Sequence, residues 1–171
     1  MSKSNLRHLF LLGEKQIGKT TVLQRLLRGH TLRLGGFLTR KVRTPTGANI
    51  HMLPAWKEAA CTPENLLFSR SNGILHLEPG RFDRLGCSLL AAREDCRLLI
   101  MDELGPSEAT ALGFQKAVLE CLAGETPVYG VLQRGDTPFQ QAIRRHPEVC
   151  LVTVTAENRD VLPAWLREQG W

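Results

Sequence analysis

The chain has 171 residues, 43% hydrophobic and 23% charged, a balance that excludes a disordered, collagen-like or coiled-coil polypeptide. A single domain spanning 1–171 is expected, burying roughly 70% of the surface its unfolded chain exposes, with no need of disulfides or metals to fold. Twenty-two basic residues against seventeen acidic ones leave a net charge of +5, scattered rather than gathered into runs, so phosphate ligands are admitted while nucleic acid is not expected as a partner.

No apolar run approaches the roughly 20 residues that span a bilayer. The opening MSKSNLRHLFLLG lacks a signal-peptide pattern, so a cytoplasmic protein without a membrane partner is expected. Cys61, Cys87, Cys96, Cys121 and Cys150 form no CxxC pair and stand at no metal spacing from a histidine. They read as reduced thiols, and those in apolar segments (Cys87, Cys121, Cys150) read as small hydrophobes.

The first predicted element is a short strand, Leu9-Phe10-Leu11-Leu12, continuous in its apolarity as a strand covered on both faces should be. From Lys19 the spacing turns helical, with Val22, Leu23, Leu26 and Leu27 on one face, and Gly29 closes the helix. Gly36–Val42 and Asn49–Leu53, joined by the turn Thr44-Pro45-Thr46-Gly47, predict an antiparallel hairpin. Short strands are expected at Leu66–Phe68 and Ile74–Leu77, around the turn Ser71-Asn72-Gly73. A helix over 80–95, a strand over Leu98–Asp102 and a helix over 110–123 follow. The strand Val128–Leu132, a helix near 138–145 and the strand Val149–Val154 come next. The last helix, 157–168, is opened by Thr155 and kinked or broken at Pro163. Strands alternating with helices predict an α/β fold with a mostly parallel sheet covered on both faces, into which the hairpin is inserted.

Gly13-Glu14-Lys15-Gln16-Ile17-Gly18-Lys19-Thr20 matches G-x-x-x-x-G-K-[ST], a match expected by chance in roughly 0.5% of chains of this composition and length. It follows a strand and opens a helix, as its chemistry requires. Glycines let the backbone wrap a phosphate with its N–H groups inward, and the helix N-terminus adds partial positive charge. The nucleotide-binding residues are therefore Gly13, Glu14, Lys15, Gln16, Ile17, Gly18, Lys19, Thr20 and Thr21. Lys19 is also a catalytic candidate, reaching the β- and γ-phosphates, and the Thr20 hydroxyl is a ligand for Mg²⁺.

A second acidic site is expected at the end of another strand. Leu98-Leu99-Ile100-Met101-Asp102-Glu103 supplies it: Asp102 as the second Mg²⁺ ligand, and Glu103 as the catalytic carboxylate that orients the attacking water. A cation on the developing charge would help, and Arg40, Arg134, Arg144 and Arg145 are equal candidates at this level.

The chain resembles the THEP-type nucleoside-triphosphatase family, also called cancer-related nucleoside triphosphatases, over nearly its full length. The likeness rests on GEKQIGKTTV, GGFLTRKVR, LLIMDELGPSE and VTVTAENRDVLP. It implies a RecA-like P-loop NTPase, a three-layer sandwich that hydrolyses several nucleoside triphosphates with Mg²⁺. It also implies that Glu108 matches the last acid of the family's D-E-I-G-K-M-E motif. The chain departs from the family at Gln16, where a third glycine is usual. Pro106 and Ser107 replace a lysine and a methionine, and Gln133 stands where a histidine is common.

The substrates expected are ATP and GTP, with CTP and UTP beside them, since no guanine-reading N-K-x-D motif is present. A small-molecule kinase, with the 134–145 segment as a cationic lid, and a nucleotide-switched binding module are the alternatives. No segment announces an oligomer interface, so a monomer is the default expectation.

Overall fold

The computed structural model describes residues 6–92 and 95–171. Among these described residues, eight strands form one sheet in the order β5-β4-β3-β2-β6-β7-β1-β8. The strands are β1 (His8–Leu12), β2 (Leu34–Thr44), β3 (Gly47–Pro54), β4 (Leu66–Ser71), β5 (Ile74–His76), β6 (Leu98–Leu104), β7 (Val128–Leu132) and β8 (Val149–Thr153). The five from β2 to β8 along this order are mutually parallel. The chain passes through a helix between successive parallel strands, and these helices cover the sheet, which is why β1 and β7 are apolar on both sides. At the β2 end the chain reverses three times, so β3, β4 and β5 continue the sheet as an antiparallel meander. The expected hairpin is thus the first half of a four-stranded wing.

Five α-helices among the described residues complete the sandwich: α1 (Lys19–Leu27), α2 (Arg81–Ala91), α3 (Leu112–Ala123), α4 (Pro138–Arg145) and α5 (Leu162–Glu168). Val22, Leu23 and Leu26 of α1 and Leu162 and Leu166 of α5 close one core with Leu9, Leu11, Ile100 and Val131. Phe82, Phe114, Val118, Phe139 and Ile143 close the other against Phe10, Phe37 and Met101. The alternation along β1 and β6 therefore sends successive side chains to opposite helical layers. Gly86 lets α2 and α3 approach closely, since a Cβ there would lie 2.2 Å from the Phe114 ring.

Several expected boundaries shift. The helix expected over 80–95 is α2, ending at Ala91; residues 93–94 of that span lie outside the described residues. The last helix starts at Leu162, not at 157, because Thr155 and Asn158 close a capped turn first: Asn158 Oδ1 accepts from the Thr155 N–H at 2.9 Å and Thr155 Oγ1 from the Asn158 N–H at 3.3 Å. Pro163 then sits in the first turn of α5, where its missing N–H costs nothing, so it neither kinks nor breaks the helix. The 134–145 segment holds the capped helix α4, with Thr137 at its N-cap and Phe139 and Ile143 in the core. Among the described residues no helix is long and apolar enough to cross a membrane.

Candidate active site

The loop after β1 wraps as the motif requires. Gly13, Gln16 and Gly18 have φ of 143°, 63° and 107°, so the backbone turns its N–H groups toward one concavity. Gln16 holds a left-handed conformation without being glycine, at the position where the resemblance leads one to expect a glycine. Lys19, almost fully buried, folds back over the loop and donates to the carbonyls of Gly13 (3.1 Å) and Glu14 (2.7 Å). Lys15 and Thr21 lie on the same loop and the first turn of α1.

The two predicted metal ligands come from distant parts of the sequence and meet. Ile100 faces the α1 layer, so Asp102, two residues on, faces it too. There the Thr20 hydroxyl donates to Asp102 Oδ1 at 2.8 Å. The other carboxylate oxygen, Oδ2, is buried without a hydrogen-bond partner. Burial, with the adjacent Glu103, pushes the Asp102 carboxyl up to about 7 against the restraint of Thr20 and Lys19. Glu103 is half-buried on the next position of β6.

Glu108, which the resemblance matched to the family's last acid, has a structural place. Its buried carboxylate accepts from the Gly105 N–H at 2.8 Å and braces the 3₁₀ turn Pro106–Glu108 just beyond β6. Burial pushes this carboxyl up to about 8. Gln133 N–H donates to Leu104 carbonyl at 2.7 Å, and the Gln133 side chain lies over Gly105, where a Cβ would come within 2.6 Å of its Oε1.

Of the four arginine candidates, Arg134 is the one that meets the phosphate loop, in an ion pair with Glu14. Arg144 is turned back onto its own segment, donating to the Gly135 carbonyl at 2.7 Å, and Arg40 donates to Ala59 across the wing at 3.3 Å.

Arg159 escaped sequence reasoning. The Thr155–Asn158 turn carries its side chain back to the phosphate loop, where a Cβ on Gly18 would touch Arg159 Cδ at 3.9 Å. The same exit from β8 supports Gly13, whose hypothetical Cβ would lie 2.5 Å from the Val154 carbonyl oxygen. Asp160 then pairs with Arg25 of α1 at 3.0 Å. The only sequence signal was the run Asn158-Arg159-Asp160, whose capping logic is legible but whose destination is not.

A family model described as NTPase matches residues 8–166. The chain belongs to this THEP1-type NTPase family. Nucleoside-triphosphatase THEP1 of Methanosarcina acetivorans is 30% identical over 88% of this chain and 89% of its own length. The counterpart from Thermofilum pendens is 27% identical over 95% and 94%. The crystal structure of THEP1 from Aquifex aeolicus superposes with a TM-score of 0.73 at 26% identity, over 93% of this chain and 96% of that one. The solution structure of a human cancer-related nucleoside triphosphatase shares the fold, with a TM-score of 0.69 at 24% identity over 94% and 96%.

Proposed function

We propose that this member of the NTPase family is a Mg²⁺-dependent nucleoside-triphosphatase, cytoplasmic and monomeric, that releases the γ-phosphate of ATP, GTP, CTP and UTP with little base selectivity. The observation that carries the reading is the meeting of Thr20 and Asp102 beside Lys19. Hard oxygen donors, one of them a buried carboxylate oxygen without a partner, suit a cation that keeps much of its coordination for phosphate and water. Thr20 and Asp102 would hold Mg²⁺, which when bound neutralises charge on the β- and γ-phosphates.

The chain's own groups supply the rest. Backbone N–H groups from Gly13 to Thr21 cradle the phosphates, and Lys19 exchanges its loop carbonyls for phosphate oxygens. Glu103 orients a water and takes its proton as the water oxygen bonds to the γ-phosphorus and the bond to the β–γ bridging oxygen breaks. Water thus ends on phosphate, and the nucleoside diphosphate leaves. Arg159, lying against Gly18 on the β8 side, contacts the nucleoside end of the ligand.

The test is phosphate release from the four triphosphates with Mg²⁺, wild type beside Glu103→Gln, with nucleotide binding measured in the same samples. Release from all four, lost in the variant while binding survives, is the expected result. Tight binding without release by the wild type would overturn it.

A further inference from the structure

We propose that the cleft beside Asp102 is a second ligand site, which takes a small anion carrying a planar ring and sets it against the γ-phosphate end of the bound nucleotide. This rests on the nucleotide reading above for what lies next to it. The cleft, about 350 Å³, is lined by Gln24, Leu38, Arg40, Leu53, Trp56 and Lys57 among others. That volume is in the range of small-molecule sites.

Position is the first argument. Across the carboxyl ends of the strands, the Arg159 turn follows β8, the phosphate loop follows β1, and Asp102 stands two residues before the end of β6. A triphosphate reaching from the loop toward Asp102 and Glu103 points its γ-phosphate away from β8 and toward β2 and β3. The cleft lies there. Leu38 of β2 is in register with Asp102, and Leu53 of β3 with Leu38. Leu38 packs in the same layer as Ile100, which puts it on the Thr20 side of the sheet. Gln24 stands one turn after Thr20, so both project from one side of α1.

Chemistry is the second. Leu38, Leu53, Pro54 and Ala55 make an apolar floor, and half-buried Trp56 offers an aromatic face to a planar ring. Arg40 follows Leu38 by two residues and so emerges on the same face about 6–7 Å farther along the strand. With Lys57 it gives the lining two cations against the single carboxylate of Glu58, and the surplus favours an anion. The walls are held in place: the Ala55 N–H donates to the Gly36 carbonyl at 3.1 Å, and Arg40 reaches Ala59. A ligand here stands where water would approach the γ-phosphate, so it slows hydrolysis without competing for the nucleotide.

Binding is measured by calorimetry on Lys19→Ala protein, whose phosphate loop is disabled. The probes are uridine 5′-monophosphate, nicotinate and inorganic phosphate. At least one ring-bearing probe is expected to bind, with inorganic phosphate at least tenfold weaker. Uridine monophosphate alone would assign a phosphomonoester, and nicotinate alone a carboxylate. Adding Arg40→Gln, a change on an exposed side chain, should weaken binding about tenfold. Trp56→Ala should do the same, while Trp56→Phe keeps it within threefold. In wild type, the saturating probe should lower phosphate release at least threefold with KM for ATP unchanged. Failure of both ring-bearing probes to bind, or binding unmoved by Arg40→Gln and Trp56→Ala, overturns the site. Hydrolysis by the wild type without a probe reports on the nucleotide reading separately.

Discussion

Thr20 in the first turn of α1 and Asp102 near the end of β6, a strand two places from β1 in the sheet, share a 2.8 Å hydrogen bond that occupies one carboxylate oxygen and leaves the other buried and unpaired. The folded protein holds the Asp102 proton up to about pH 7, above the ordinary carboxylate range, chiefly because the site is dry. The group therefore contributes stability at low pH that is lost as pH rises through 7. Asp102→Asn keeps an acceptor for Thr20 and removes the buried charge. Its ligand-free melting temperature should exceed that of wild type by several degrees at pH 8, with the gap narrowing by pH 5. Phosphate release should fall at least a hundredfold. Scanning fluorimetry at both pH values and a phosphate assay check the pair of outcomes.

Arg159 lies near the loop at Gly18, where an added Cβ would come within 3.9 Å of its Cδ, and it follows β8 whereas Asp102 lies on β6, on the other side of β1. Arg159→Ala should raise KM for ATP about tenfold and leave kcat within twofold, and it should weaken ADP and ATP binding equally. Steady-state kinetics with nucleotide titrations would show this. A fall in kcat at constant KM would move the residue to the reacting phosphate instead.

Glu108 offers a separate pH signature. Its carboxyl is pushed up to about 8 by burial, with Glu103 adding to the rise and the Gly105 N–H opposing it. The stability it contributes is fully present below the ordinary glutamate range and lost as pH climbs through 8. Glu108→Gln retains an oxygen for Gly105 and has no proton to lose. Between pH 6 and 9 the wild type should lose several degrees more in melting temperature than the variant.

Gly86 is a packing position with no room for a methyl group beside Phe114. Gly86→Ala gains helix propensity yet should destabilise the protein by about 1–3 kcal/mol, because α2 and α3 must move apart. Phe114→Leu in the same chain should recover part of the loss. Urea denaturation of the single and double variants measures the coupling.

The phosphate loop and the acidic pair were legible because their signals are local: glycines before a helix, carboxylates directly after an apolar run. The wing's four strands and its two hairpin turns were legible, including β4 and β5 around Ser71-Asn72-Gly73. What was not legible is that β4 pairs with β3, because the long connection between them encodes no register. Pro163 misled because the same residue breaks a helix interior and suits a first turn; only the Thr155–Asn158 cap decides which. The choice of Arg134 over Arg40 and Arg144 as the arginine at the phosphate loop, and the approach of Arg159, follow from β1 lying between β7 and β8. Strand order is a tertiary outcome, and no spacing along the chain encodes it.

The contact between Gly13 and Val154 bears on how the protein is made. The phosphate loop leaves the ribosome early, but β1 finds its neighbours only when β7 and then β8 have been synthesised, and the Val154 N–H must reach the Leu12 carbonyl before the loop has its floor. A nascent chain halted before β8 would carry the complete glycine-rich motif and have no supported cradle for a nucleotide. Nucleotide capture is thereby tied to completion of the sheet, so a fragment bearing the motif alone would neither sequester nor waste cellular triphosphates.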